Sequence, residues 1–349
     1  MSLDLTTNFG GLVLRAPIIV GACPLTANIH NRIALEAAGV GAIVLPSLFE
    51  EHVIAWKARS GGTITDIQQR QLDHIDRLTR DTLVLDVETY LAMVNRSSVQ
   101  SGVPVIASLN GGSDGDWLDF AGELDATGVS AIEVNLHHRT DGQGRDPRDL
   151  EDSVVDVVRR IRSSIRVPLF LKLHREYTSV SHLARRLVSG VQGLVLYARD
   201  PEIDIALDNF QLRSDWGLTP AGSISPMLRA LMSVYGHCPA MPLTGSGGIA
   251  GPEDLIKVLL AGADAGAVVA AVYREGPDAI RSMLDGLRQF MTANWFSSLN
   301  ELQSRRPMEF STQQDRGFLV ESRPPKIASP GDNQRELIVT ADPRGHVMR

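Results

Sequence analysis

Cysteine is scarce in this chain. Of 349 residues, Cys23 and Cys238 alone carry thiols, and they lie far apart. Two thiols at that separation form no disulfide framework and no spaced ligand set for zinc or an iron–sulfur cluster. A reducing compartment is therefore expected, the cytoplasm by default. Aromatic residues are few, at 5%. No run is long and apolar enough to span a membrane. The opening Met1-Ser2-Leu3-Asp4-Leu5-Thr6 has neither a basic stretch nor an apolar run of signal length. Positive charge is not in excess either. The formal net charge is -7 and no Lys/Arg-rich block stands out, so a nucleic-acid partner is not expected. Ordinary apolar content and ample length fit a soluble globular chain with a sizeable core.

What is present is a rhythm of short apolar runs and helical patterns. Eight runs read as strands: residues 17–21, 42–45, 104–109, 131–135, 168–173, 193–197, 242–245 and 265–270. Each is short and mostly apolar, as parallel strands covered by helices are. Helical patterns fall at 31–38, 116–126, 150–163, 180–188, 252–260 and 277–291, several opening on Asn, Asp, Ser or Pro. The fold expected is α/β, an eight-stranded (β/α)8 TIM barrel over residues 1–300. Residues 3–14, with Gly10-Gly11 in the middle, read as a hairpin ahead of it. Long inserts are expected after strands two (46–103, with helices at 67–79 and 82–94) and six (198–241), where such segments build pockets or lids. Residues 301–349, rich in Pro, Arg and Asp from Arg305 onward, are expected as an extension, packed on the barrel or partly mobile.

The most informative stretch comes late. Pro242-Leu243-Thr244-Gly245-Ser246-Gly247-Gly248-Ile249 is followed by Gly262-Ala263-Asp264-Ala265-Gly266-Ala267-Val268-Val269-Ala270-Ala271. In a TIM barrel the loops after the last two strands are the usual phosphate site. Glycines let the backbone approach the phosphate, and a helix start offers free N–H groups. A phosphorylated ligand at the C-terminal rim is expected.

Taken together, the motifs resemble one family, the class 1 dihydroorotate dehydrogenases and their uncharacterised relatives. Asn8-Phe9-Gly10-Gly11-Leu12 with Ala16-Pro17-Ile18-Ile19-Val20 is similar to that family's hairpin and first strand. Gly41-Ala42-Ile43-Val44-Leu45-Pro46-Ser47-Leu48-Phe49-Glu50-Glu51 resembles its second strand and loop. Asn135-Leu136, Lys172, Gly247-Gly248 and Arg274-Glu275-Gly276-Pro277 continue the order. The resemblance implies flavin mononucleotide (FMN) in the barrel mouth. Gly247, Gly248, Ala270 and Ala271 would hold its phosphate, although the family usually has Gly and Thr at the last two. Ala22, Ser47, Asn110, Asn135, Lys172 and Gly222 fall where the family touches the ring and ribityl chain. A fixed cation at Lys172 would stabilise an anionic reduced ring; the alternative is a lysine in a barrel salt bridge.

The chain also departs from that pattern. The family's base is a Cys or Ser shortly after the strand-four Asn, and here the loop reads Asn135-Leu136-His137-His138-Arg139-Thr140. His138 stands at the base position, and an imidazole titrates near neutrality (~6.5), so it serves as acid or base. Arg139 offers a planar fork to a carboxylate. The asparagines that surround orotate are mostly missing: Thr140 and Ala198 stand at two of those positions, and Pro46 replaces the lysine after strand two. A pocket without those partners should hold dihydroorotate poorly. Tyr197, Arg199, Cys23, His52, Lys57, His174, Arg175 and Tyr177 are candidates for a changed pocket, Cys23 also reading as an ordinary buried thiol.

The leading reading is an FMN-dependent oxidoreductase moving hydride between flavin N5 and a C–C bond next to a carbonyl or carboxylate. Direction, substrate and electron partner stay open, since no dinucleotide fingerprint is present. One alternative is a non-redox barrel lyase or isomerase on a phosphorylated substrate, with Lys172 forming a Schiff base. Another is a non-catalytic flavin-binding relative. A homodimer is expected.

Overall fold

The structure is a computed structural model. It describes residues 3–62, 64–66, 68–69, 86–112, 115–136, 146–175 and 177–307. The chain opens with an antiparallel hairpin, β1 (Thr7–Phe9) and β2 (Leu12–Leu14). A closed parallel barrel follows, built from β3 (Ile18–Val20), β4 (Ala42–Phe49), β5 (Val105–Gly111), β6 (Ala131–Leu136), β7 (Leu169–Leu173) and β8 (Gly193–Leu196). After a second hairpin, β9 (Glu202–Ala206) and β10 (Gln211–Asp215), it is completed by β11 (Leu243–Ser246) and β12 (Ala265–Val268). The ring closes in chain order, with β12 pairing β3 and β11 pairing β8. Eight strands in a ring leave no sheet edge exposed.

Each of the eight barrel strands is buried on both faces, which explains its unbroken apolar run. Residues facing outward meet the helices; Gly245 is hemmed in by Val258, Met227 and Leu231. Those facing inward, among them Ile19, Val44, Ile106, Phe170, Val195 and Ala267, pack together with Phe9, Leu12 and Leu14 of the hairpin. The hairpin therefore stoppers the N-terminal end. The Phe9 and Phe170 rings stack with centroids 4.3 Å apart. Gly10 makes this possible. It has φ 55°, and a side chain there would lie 2.6 Å from Phe170 Cε1.

Several helices begin where capping side chains stand. Asn28 Oδ1 accepts from His30 N, Asp86 Oδ1 from Thr89 N, and Asp146 Oδ1 from Arg148 N. The helix expected at 82–94 starts instead at Val87, because Asp86 supplies the cap, and runs to Gln100. The expected helix at 67–79 falls mostly outside the described residues. The 116–126 pattern is a 3-10 turn followed by a short helix, Ala121–Asp125. The expected strand at 265–270 ends at Val268, and Ala270 opens the helix Ala270–Glu275. The stretch between β8 and β11 holds both the β9–β10 hairpin and a regular barrel helix, Ser225–His237, neither of them anticipated. Among the described residues, no helix is long and apolar enough to cross a membrane.

Candidate active site

Pro46 lies within β4, where it cannot donate to a central ladder. The β4–β5 pairing answers with a shift: Val44 opposes Ile106, but Ser47 opposes Ser108. One extra residue on β4 is a bulge, and it re-aims the strand. Ser47 thus turns inward like Val44, and its Oγ lies 2.8 Å from Ser108 Oγ.

Three polar residues share one level on adjacent strands. Asn110 of β5 pairs in register with Asn135 of β6, and Asn135 with Lys172 of β7. Two residues earlier on β6, Glu133 faces the same way. Its Oε1 accepts from Lys172 Nζ at 3.3 Å, and both side chains are nearly excluded from solvent. Asn110 is buried, and its Oδ1 has no hydrogen-bond partner among the described residues. An acceptor left alone inside a barrel mouth costs free energy unless a ligand's donor meets it. Asn135 Oδ1 lies 3.0 Å from His174 Nε2, and His174 Nδ1 lies 2.8 Å from Asp200 Oδ1.

Beside this row, at the C-terminal mouth, is a cavity of about 910 Å³. Of the expected cofactor residues, Ala22, Lys172, Gly247, Gly248 and Ala270 line it. Ser47, Asn110 and Asn135 belong to neighbouring inward-facing positions instead. Gly222 N donates to Gly248 O at 2.9 Å and so steadies the glycine turn. Gly247 and Gly248 both have positive φ, 104° and 77°. A side chain on Gly248 would lie 2.8 Å from the Ser223 backbone, whereas nothing lies within 4 Å of one on Gly247. The turn is packed on one side and open toward the cavity on the other. Ala271 is buried and is not among the cavity's lining residues.

Tyr197 and Arg199, expected at the substrate, both line the cavity. Arg199 rests on the Trp216 ring at 5.4 Å and donates to Gly217 O. Arg175 lies over Tyr197 at 5.8 Å. Burial raises the Tyr197 hydroxyl above its ordinary pKa, opposed by the Arg175 cation. Cys23 also lines the cavity, and burial pushes its thiol upward, so it is a protonated thiol rather than a ready nucleophile. His52 is on the helix Glu50–Arg59, accepting from Phe49 N at 3.2 Å, and is not among the cavity's lining residues. His138 and Arg139 lie outside the described residues.

Sequence reasoning missed Glu133, Asp200 and Trp216. Glu133 carried a usable signal: a charge inside an apolar strand, two residues from Asn135 and hence on its face. Asp200 and Trp216 carried none, because their partners come from other segments.

The dihydroorotate dehydrogenase family model matches residues 5–291. The chain belongs to that family. It is 33% identical over 218 residues to an Aeropyrum pernix protein provisionally named dihydroorotate dehydrogenase A (fumarate), covering 60% of this chain and 70% of that one. It is 24% identical to the Thermoplasma acidophilum dihydroorotate dehydrogenase B (NAD(+)) catalytic subunit, over 86% of this chain and 97% of the other. The Lactobacillus helveticus dihydroorotate dehydrogenase A (fumarate) is 28% identical, over 50% and 58%. Membership makes the chain a flavin oxidoreductase of the dihydroorotate dehydrogenase type, acting on a CH–CH bond, and FMN is the family's cofactor. The residues fit that group: a cation at Lys172, an unmatched acceptor at Asn110, and an open glycine turn. The barrel lyase alternative is displaced. Lys172 also sits in an ion pair, which does not favour a free amine nucleophile.

Proposed function

We propose that this chain is an FMN-dependent oxidoreductase acting on a carbon–carbon bond next to a carboxylate or carbonyl, in a substrate other than dihydroorotate. The observation that carries this reading is the wall beyond Lys172. There the cavity has Arg175, Arg199 and Tyr197, and small Ala198 where the family holds a substrate amide. Guanidinium groups suit carboxylates. A pyrimidine ring needs paired donors and acceptors, and a pocket lacking them selects against it.

When bound, FMN supplies the hydride chemistry. The chain's residues do the rest. The amides of Gly247 and Gly248, with the backbone at Ala270 and Ala271, would hold the phosphate; Ala22, Ser47, Asn110, Asn135 and Gly222 would surround the remainder. Lys172, paired with Glu133, would set a positive charge against the bound ring. Arg139, Tyr197 and Arg199 orient the substrate, so that its reacting carbon is fixed before reaction. His138 would give or take the proton at the neighbouring carbon.

The chain also offers a surface for a second copy. Ile205 and Leu212 oppose each other on β9 and β10, and with Ile203, Leu207 and Phe210 they stand exposed. An apolar hairpin face of this kind supports a homodimer.

The test begins with mass spectrometry of the small molecule released on denaturation, where FMN is expected. The reconstituted protein is then photoreduced and mixed with orotate, fumarate and a panel of other α,β-unsaturated carboxylates. Faster reoxidation by a carboxylate other than orotate is expected. Orotate as the fastest acceptor would sink the substrate reading, and replacement of His138 by Gln without effect on reoxidation would remove its proton role.

A further inference from the structure

We propose that the His174–Asp200 pair is a positioning device for Asn135, fixing its side-chain amide so that the NH2 end faces the ligand. This rests on the reading of the site as an FMN pocket. His174 follows directly on the end of β7, two residues beyond Lys172, and its ring turns inward to meet Asn135. It is buried, with its side chain 11% exposed. Asp200, from the segment after β8, sets the ring from outside: its Oδ1 is 2.8 Å from Nδ1. A carboxylate accepts and does not donate, so Nδ1 carries hydrogen. The other nitrogen, Nε2, lies 3.0 Å from Asn135 Oδ1, an acceptor. That bond requires hydrogen on Nε2 as well.

An asparagine amide has one accepting end and one donating end. With Oδ1 engaged by the ring, the NH2 group is left for whatever occupies the mouth. The site then selects an acceptor atom at that point, a carbonyl oxygen of the isoalloxazine or of a substrate stacked on it. Reversed, the same amide would repel such an oxygen. Asn135 also stands between Asn110 and Lys172 in the ladder, so its amide falls in the middle of that row. This resembles the way outer partners fix the tautomer and orientation of ligating groups at metal sites.

The test uses the full chain, its His174→Gln, His174→Phe and Asp200→Asn variants, and FMN as probe. FMN affinity is read from fluorescence quenching, and the environment of the ring from its absorption band. His174→Phe should weaken FMN about tenfold and shift the band, the loss expected for one charge-assisted hydrogen bond. His174→Gln, whose own NH2 can donate to Oδ1, should recover most of both. Equal impairment in Phe and Gln would reduce His174 to packing and overturn the proposal, as would parental affinity in His174→Phe. Nitrogen-15 spectra of the imidazole in the cofactor-free chain give an independent reading. Hydrogen on both ring nitrogens is expected, with Nδ1 disturbed in Asp200→Asn; a bare Nε2 would mean that the amide is reversed. A parent chain that takes up no FMN would instead defeat the reading of the site, and the ring spectra would still decide the pairing.

Discussion

Lys172 Nζ lies 3.3 Å from Glu133 Oε1 inside the barrel mouth, with side-chain exposures of 13% and 6%. Removing one partner of a shielded pair strands the other charge at a cost of about 3–5 kcal/mol, while replacing both is far milder. Lys172→Met is thus expected to lower unfolding stability by about 3 kcal/mol. Adding Glu133→Leu should restore most of it. Urea titrations of the two single variants and the double one supply the cycle, and a Lys172→Met midpoint equal to the parent's would show that the pair carries no such energy.

The glycine turn gives a graded prediction. Alanine at Gly247 or Gly248 meets left-handed backbone, at about 1–2 kcal/mol. At Gly248 the new methyl also meets the Ser223 backbone at 2.8 Å. Gly248→Ala should therefore melt lower than Gly247→Ala, and the rise in melting temperature on adding FMN should shrink in both. Differential scanning fluorimetry with and without FMN reads both effects, and equal melting of the two variants would contradict the packing argument.

The stopper at the barrel floor is expected to be costly to remove. Phe9 is buried against Phe170. Phe9→Ala leaves a void there and should cost about 3–4 kcal/mol. Guanidinium titration checks this, and a loss below 1 kcal/mol would mean that the floor collapses onto the gap.

His52 makes stability depend on pH. Burial lowers its pKa from the ordinary value of 6.5. Above 6.5 the imidazole is neutral in both states and nothing is lost. As pH falls below 6.5 the unfolded chain takes the proton first, so stability declines until the folded value is passed. His52→Gln should therefore lose less stability between pH 7 and pH 5 than the parent does. Denaturant midpoints at the two pH values decide it, and parallel losses would remove His52 from the account.

The exposed hairpin predicts an assembly. Leu212 is 72% exposed, opposite Ile205. Leu212→Lys should shift the chain from dimer to monomer in light scattering, with melting temperature little changed. A parent that is already monomeric would end that reading.

The barrel was legible because parallel strands buried on both faces read as unbroken apolar runs, and Gly10-Gly11 marked the first hairpin. The β9–β10 hairpin was not read, although Glu202–Ala206 and Gln211–Asp215 alternate as strands do. Its apolar side faces solvent, so the rule that apolar means interior gave the wrong cue. The helix Ser225–His237 buries Met227, Ala230, Leu231 and Val234 at helical spacing, a pattern visible in the sequence but concealed within what looked like an insert. At the site, Lys172 and Asn135 stood out as polar residues ending apolar strands. Their partners did not, because Glu133 is 39 residues from Lys172, and Asp200 is 26 from His174. Such pairs exist only once the ring has closed.

The stacked rings of Phe9 and Phe170 make the barrel a blind well rather than a tube. Among the described residues, whatever rests above that floor is reached from the C-terminal mouth, where the cavity lies. Two reactants that must both reach one bound ring are then expected to take turns, the first product leaving before the second reactant arrives, which steady-state kinetics would record as parallel reciprocal plots.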